Sequence, residues 1–208
     1  MTLTLAVDTT AAFGSIALAD EDDATGVREE IRVHAPQGFS QVLFGEIEAL
    51  LKRQGVRLNE IELFAGASGP GSFTGVRVGL AAIKGLAEVL GRRVVAVSNL
   101  EALAEFGKSH ARATIIDARR GEVYAALYDG AGNQIISEEV LPMEKFREIL
   151  AGREVEWISQ PDSGEMPLAG AISRIAIRKA KHGLARDPAA IEANYVRRSD
   201  AELLWKES

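Results

Sequence analysis

Two stretches of this chain carry one pattern, and any fold it adopts must accommodate both. DTTAAFGSIALAD (Asp8 to Asp20) and DARRGEVYAALYD (Asp117 to Asp129) each pass from an Asp through a short turn and a Gly into an apolar run that ends in Asp. An Asp closing one strand, a turn, and a second apolar strand make a hairpin, so the same hairpin occurs twice. Repetition of a supersecondary unit predicts two lobes of common topology packed face to face, here residues 1–111 and a shorter 112–208, with the boundary near Arg112.

The segments around the hairpins fit an α/β chain. Leu3, Leu5 and Val7 alternate with smaller residues, Gly14 to Leu18 is a second apolar run, and Val27 to Val33 alternates again beyond an acidic tip at Asp20 to Asp23. Ser40 is placed to cap a helix running through Arg53, with Leu43, Ile47, Leu50 and Leu51 on one face. A strand at Leu63 to Ala67, a glycine-rich turn, a helix to Leu90, a strand at Val94 to Val97 and a helix at Leu100 to Phe106 complete the first half. That order predicts three antiparallel strands extended by parallel ones. The second half repeats it in shortened form: strands at Gln134 to Val140 and Val155 to Ser159, helices at Met143 to Leu150 and Leu168 to His182. Asp187 to Ser208, with Trp205, reads as a closing segment.

Composition excludes several classes of function. The 208 residues are 47% hydrophobic, enough for a core, and carry 24 basic against 30 acidic side chains, a formal charge of −6. A nucleic-acid binder normally has the opposite sign or a basic stripe. The nearest basic groups, Arg119-Arg120, Arg174 to Lys181 and Arg197-Arg198, read as solvated faces, so contact with RNA is expected to be indirect. With no cysteine there is no disulfide, thiol nucleophile or thiolate metal site. Met1 to Asp8 lacks the cationic start of a signal peptide, and no stretch reaches the ~20 apolar residues of a membrane span, so the expected location is the cytoplasm.

Catalytic equipment is sparse. His34, His110 and His182 are dispersed without i,i+4 pairing or HExxH, and no GxSxG elbow occurs, so neither a catalytic metal nor a catalytic residue is expected. Asp8 and Asp117, at strand ends, can hold a metal ion through water, although two isolated acids are a weak signal. GPGSFTG (Gly69 to Gly75) joins a strand to a helix, a place where backbone N–H groups bind anions. It lacks the Lys of a P-loop and the spacing of a dinucleotide fingerprint. Three readings stay open: a turn capped by Ser72 or Thr74, a nucleotide or phosphate contact through Asp8, Gly69, Gly71 and Ser72, or a partner contact.

The helix VRVGLAAIKGLAEVL is more informative. Its only charged positions, Arg77, Lys84 and Glu88, fall within ~40° of one another at 100° per residue, and the rest is apolar or small. Val76, Leu80, Ile83 and Leu90 can cover a sheet, which leaves Val78, Ala82, Gly85 and Val89 facing a second surface. A Gly inside a helix costs ~1 kcal/mol against Ala, so Gly75 and Gly79 require a close neighbour. That neighbour is either the preceding helix or a partner protein, and the surplus apolar surface at Val42 and Phe44 favours a partner. The expected interface comprises Phe44, Gly75, Val78, Gly79, Ala82 and Gly85.

The string ASGPGSFTGVRVGLAAIKGLA (Ala67 to Ala87), together with SNLEALA (Ser98 to Ala104), DARRGEVYAALY (Asp117 to Tyr128), LAVDTTAAFGSIAL near the start and NYVRR (Asn194 to Arg198), resembles the TsaB family, formerly YeaZ. The resemblance implies a duplicated ribonuclease-H-like fold of the actin, sugar-kinase and Hsp70 superfamily. It implies a non-catalytic scaffold that pairs directly with TsaD and, with the ATPase TsaE, supports formation of N6-threonylcarbamoyladenosine beside the anticodon of ANN-decoding tRNAs. In that family the contact to TsaD is built by the helices matching Ser40 to Arg53 and Thr74 to Leu90. It further implies no tightly bound cofactor, ATP or ADP at most at the complex junction, and a homodimer when the partner is missing. Relatives often begin the first helix with His-Ser and continue Leu-Leu-Pro, where this chain has Phe39-Ser40 and Val42-Leu43-Phe44. The rival functions are a sugar- or acetate-kinase-type phosphotransferase using Asp8 and the glycine turn for ATP, and a glycoprotease-like peptidase. The first lacks a base and has Ala-Arg-Arg after Asp117, and the second lacks a nucleophile constellation.

Overall fold

Alternation of large and small apolar residues lets the first strands bury both faces, and the molecule is assembled around that property. The structure, a computed structural model, describes residues 2–22, 26–161 and 166–196. Asp23, at the acidic tip, the Arg197-Arg198 pair and Trp205 lie outside the described residues. Strands β1 (Leu3–Asp8), β2 (Phe13–Asp20) and β3 (Glu29–His34) form an antiparallel meander. After α1 (Phe39–Arg53), strand β4 (Leu63–Ala67) pairs parallel to β1; after α2 (Phe73–Leu90), β5 (Arg93–Val97) pairs parallel to β4. The first sheet therefore runs β3-β2-β1-β4-β5.

A short helix α3 (Asn99–Ala104) leads into the second sheet, where β6 (Ala111–Arg119), β7 (Glu122–Asp129) and β8 (Gln134–Pro142) repeat the meander. Helix α4 (Met143–Ile149) precedes β9 (Glu156–Ser159), parallel to β6, so the order is β8-β7-β6-β9. Three antiparallel strands extended by parallel ones appear twice, and the chain is a duplicated ribonuclease-H-like α/β fold. Helix α5 (Ala169–Lys181) closes the second half.

Packing departs from the sequence order. Leu5, Val7, Ile16 and Leu18 point to one face of the first sheet, where α1 and α2 bring Leu43, Ile47, Leu50, Leu80 and Ile83. The opposite face, with Ala6, Ala17, Ala65 and Val97, is covered by Ile172, Ile175 and Ala176 of α5. Conversely, Leu100 and Ala104 of α3 pack on Ala126 and Tyr128 of the second sheet. Each half of the chain thus lends a helix to the other half's sheet. The small residues on the α5 side explain how a helix fits closely there.

One cap differs from expectation. Helix α1 starts at Phe39, with Gly38 at the N-cap in a backbone conformation of φ 100 and no side-chain cap, so Ser40 lies in the first turn instead of capping it. The basic residues of α5 are not a free solvated face: Arg174 and Arg178 pair with Glu105, Lys179 with Glu101 and Lys181 with Glu21.

Candidate functional site

The turn between β1 and β2 and the glycine loop before α2 meet at the carboxyl ends of the parallel strands. Asp8, fully inside the molecule, accepts hydrogen bonds at Oδ1 from the Thr10 amide (2.9 Å) and the Thr10 hydroxyl (2.6 Å). Burial pushes its carboxyl above the ordinary range, against the opposing effect of the Thr10 bonds. Asn99 Nδ2 donates to Thr10 Oγ1 (2.5 Å), and Asn99 Oδ1 accepts from the Gly69 amide (3.0 Å).

The loop amides turn inward. The Ser72 amide donates to the Thr10 carbonyl (2.7 Å), and the Gly75 amide to Ser72 Oγ (3.2 Å), which caps α2 as the turn reading expects. The structure therefore gathers Asp8, Gly69, Gly71 and Ser72 into one junction, with Gly71 against Thr10. Asp117 does not reproduce the environment of Asp8. It is exposed, pairs with Arg119 at 3.5 Å, and its Oδ1 accepts the Arg119 amide. Among the described residues no group of three His, Asp or Glu side chains is arranged to hold a metal ion.

The glycines of α2 require a correction. A methyl group added at Gly75 would overlap the Thr9 carbonyl, and one at Gly79 would lie 2.5 Å from Thr9 Oγ1, which itself donates to the Gly75 carbonyl (2.7 Å). The neighbour demanding their small size is the β1–β2 turn of the same chain, not a partner helix. Ala82 is likewise buried within the chain. These three leave the expected partner surface because their side of α2 is already covered. The apolar and small residues that face outward on α2 are half-buried Val78, Ala81, Gly85 with open space above it, and Val89, 85% exposed, beside exposed Arg77 and Glu88. On α1 the outward residue is Phe44, 55% exposed. Phe44, Val78 and Gly85 thus remain on an outer apolar face.

A cleft between the two sheets, with a volume of about 430 Å³, opens beside the junction. Its walls are the glycine loop, the β6–β7 turn with Arg119 and Arg120, Tyr124, and the segment through Asn194 and Tyr195. That segment is held by the Asn194 amide on the Ser68 carbonyl (2.8 Å), Asn194 Nδ2 on Glu138 (2.6 Å) and Lys84 Nζ on the Ile191 carbonyl (2.8 Å). Arg119 and Arg120 take left-handed backbone conformations, φ 66 and 57. In sequence the doublet reads as a solvated loop, and only the tertiary structure brings it opposite Phe73 and Tyr195.

A family model described as TsaD, tRNA N6-adenosine threonylcarbamoyltransferase, matches residues 32–183. The chain is 32% identical over 164 residues to the tRNA threonylcarbamoyladenosine biosynthesis protein TsaB of Haemophilus influenzae, a match covering 76% of this chain and 64% of that protein, just under two thirds of its length. To the TsaB of Escherichia coli it is 33% identical over 163 residues, covering 74% of this chain and 69% of the relative. The solved YeaZ of Pseudomonas aeruginosa superposes with a TM-score of 0.80 at 27% identity, covering 94% of this chain and all of the other. A model match over most of the chain, a third of residues shared with curated relatives and one topology throughout lead to a single assignment: the chain belongs to the TsaB (YeaZ) family.

Proposed function

We propose that this chain acts in tRNA threonylcarbamoyladenosine biosynthesis as a non-catalytic subunit, docking on the threonylcarbamoyltransferase TsaD through the outward faces of α1 and α2 and positioning it. The ATPase TsaE completes the assembly in this reading. The names of the relatives supply the process. The observation that carries the docking surface is the exposure of apolar residues on both helices: Val89 faces solvent one turn from Gly85 on α2, where a methyl group added to the Cα would find nothing within 4 Å, and Phe44 faces solvent on α1. The non-catalytic role is supported by the use made of Asp8, whose carboxylate holds the Thr9–Thr10 turn in place.

The test mixes the purified chain with TsaD and compares elution of the wild type with Gly85→Arg and Val89→Asp. Both positions are open, so the fold tolerates the change. The wild type is expected to co-elute with TsaD, and each variant to bind at least tenfold more weakly, about 1.4 kcal/mol. Undiminished complex formation by both variants overturns the surface assignment.

A further inference from the structure

We infer that the cleft between the two sheets is a direct binding site for an unpaired RNA nucleotide, with a phosphate on Arg119 and Arg120 and a base on the Phe73–Tyr195 pair. The inference rests on the proposed role in tRNA modification for its choice of RNA, and reverses the expectation that RNA contact is indirect.

Four observations converge. Phe73 and Tyr195 are 47% and 53% exposed, and their ring centroids stand 5.9 Å apart at the cleft wall. Exposed aromatic faces are what single-stranded nucleic acid stacks upon, with little regard to base identity. The Arg77 guanidinium lies 3.6 Å from the Phe73 centroid and donates from Nε to the Tyr195 hydroxyl (3.2 Å), which fixes both rings and adds a positive charge to the platform. The β6–β7 turn places Arg119 and Arg120 on the facing wall, in left-handed backbone conformations that are unfavourable for non-glycine residues. Arg119 pairs with exposed Asp117 at 3.5 Å, and such surface pairs are weak enough for a phosphate to displace.

The same structure argues against a nucleoside diphosphate. Three amides of the glycine loop and helix start, those of Gly69, Ser72 and Gly75, already donate to Asn99, Thr10 and Ser72, which leaves fewer donors for a diphosphate. Across the cleft from the Arg77 platform, Arg119 and Arg120 supply the cations suited to a phosphate of a strand passing the rim. A volume of about 430 Å³ suits one nucleotide-sized group.

The experiment titrates a fluorescently labelled, unmodified tRNA transcript with the full chain alone, starting near about 50 mM salt, and follows anisotropy. Arg119→Gln combined with Arg120→Gln is expected to weaken binding at least tenfold. It should also flatten the plot of log affinity against log salt by about 0.7, the value for one lost phosphate contact on a single strand. Tyr195→Ala is expected to weaken binding about tenfold with the slope unchanged, because stacking releases no counterions. All three side chains are exposed, so an unchanged urea midpoint serves as the folding control. No transferase is present in the titration, so its failure is distinct from failure of the docking reading. The inference is overturned if the wild type does not bind the transcript, if the double variant keeps both affinity and slope, or if ADP displaces the RNA by taking the same cleft. It is equally overturned if the arginine variant leaves the RNA isotherm alone and weakens the TsaD complex, which would make the cleft a protein contact.

Discussion

Glycines in one helix can be read oppositely once their neighbours are known. Gly75 and Gly79 touch the Thr9 turn, whereas Gly85 faces open space, although all three lie in α2. Gly85→Ala removes the entropic penalty of a helical glycine without meeting anything, so it is expected to stabilise the isolated chain by about 0.5–1 kcal/mol. Gly75→Ala forces a methyl group into a backbone carbonyl that cannot swing aside, and is expected to destabilise by roughly 1–3 kcal/mol. Urea unfolding midpoints of the two variants check both signs. Asp8 offers a second test at this scale. Burial raises its folded-state pKa above the ordinary 3.8. Between 3.8 and that raised value the folded chain keeps a proton that the unfolded chain has released, so Asp8 makes stability fall as pH climbs through the window. Asp8→Asn has no proton to lose. The stability of the wild type relative to this variant is expected to decline as pH rises from about 4. A difference that stays constant from pH ~4 to ~7 would show that the Thr10 bonds, not burial, govern the carboxyl.

At the scale of elements, order and pairing are largely legible in the sequence because they depend on local signals. The alternation at Leu3, Leu5 and Val7 marks β1, and Ser72 three residues before Gly75 marks the start of α2. The repeated hairpin marks both meanders. What is not legible is which surface each helix covers. The apolar positions of α2 read as two faces in need of cover, and the cover for one comes from the Thr9 turn, more than sixty residues away in sequence. The candidate site divides in the same way. Asp8 and the glycine loop are recognisable as a pair and do meet, since both sit at the carboxyl ends of adjacent parallel strands. The cleft is invisible in sequence because Arg119, Arg120, Phe73 and Tyr195 come from a turn, a helix start and the closing segment, with no spacing rule to connect them. The closing segment is marked in sequence by its position and by NYVRR, neither of which shows that Asn194 ties it to Ser68 of the first half and Glu138 of the second.

For the molecule as a whole, the exchange of helices means that the two repeats cannot be stable separately. The start of α5 is fastened to the first sheet: the Leu168 and Ala169 amides donate to Ser15 Oγ (3.1 and 2.9 Å), and the Gly170 amide to Glu30 (2.8 Å). These contacts satisfy amides that every helix start leaves without intrahelical partners, using residues from strands β2 and β3. A fragment of residues 1–111 would lack α5 and expose Ala6, Ala17, Ala65, Val95 and Val97 on one sheet face, while its own α3 would have lost the Ala126 and Tyr128 surface. Apolar burial supplies most of the stability of a small domain, so that fragment is expected to show no cooperative unfolding transition. The full chain, in contrast, is expected to unfold in one step. In a Trp205→Phe background the fluorescence of Trp157, in the second sheet, reports that sheet, and far-UV circular dichroism reports both. Coincident urea midpoints from the two probes are the expected outcome. Separate midpoints, or a sharp transition in the 1–111 fragment, would mean that the crossed helices add contact without coupling, and that each repeat carries enough core to stand by itself.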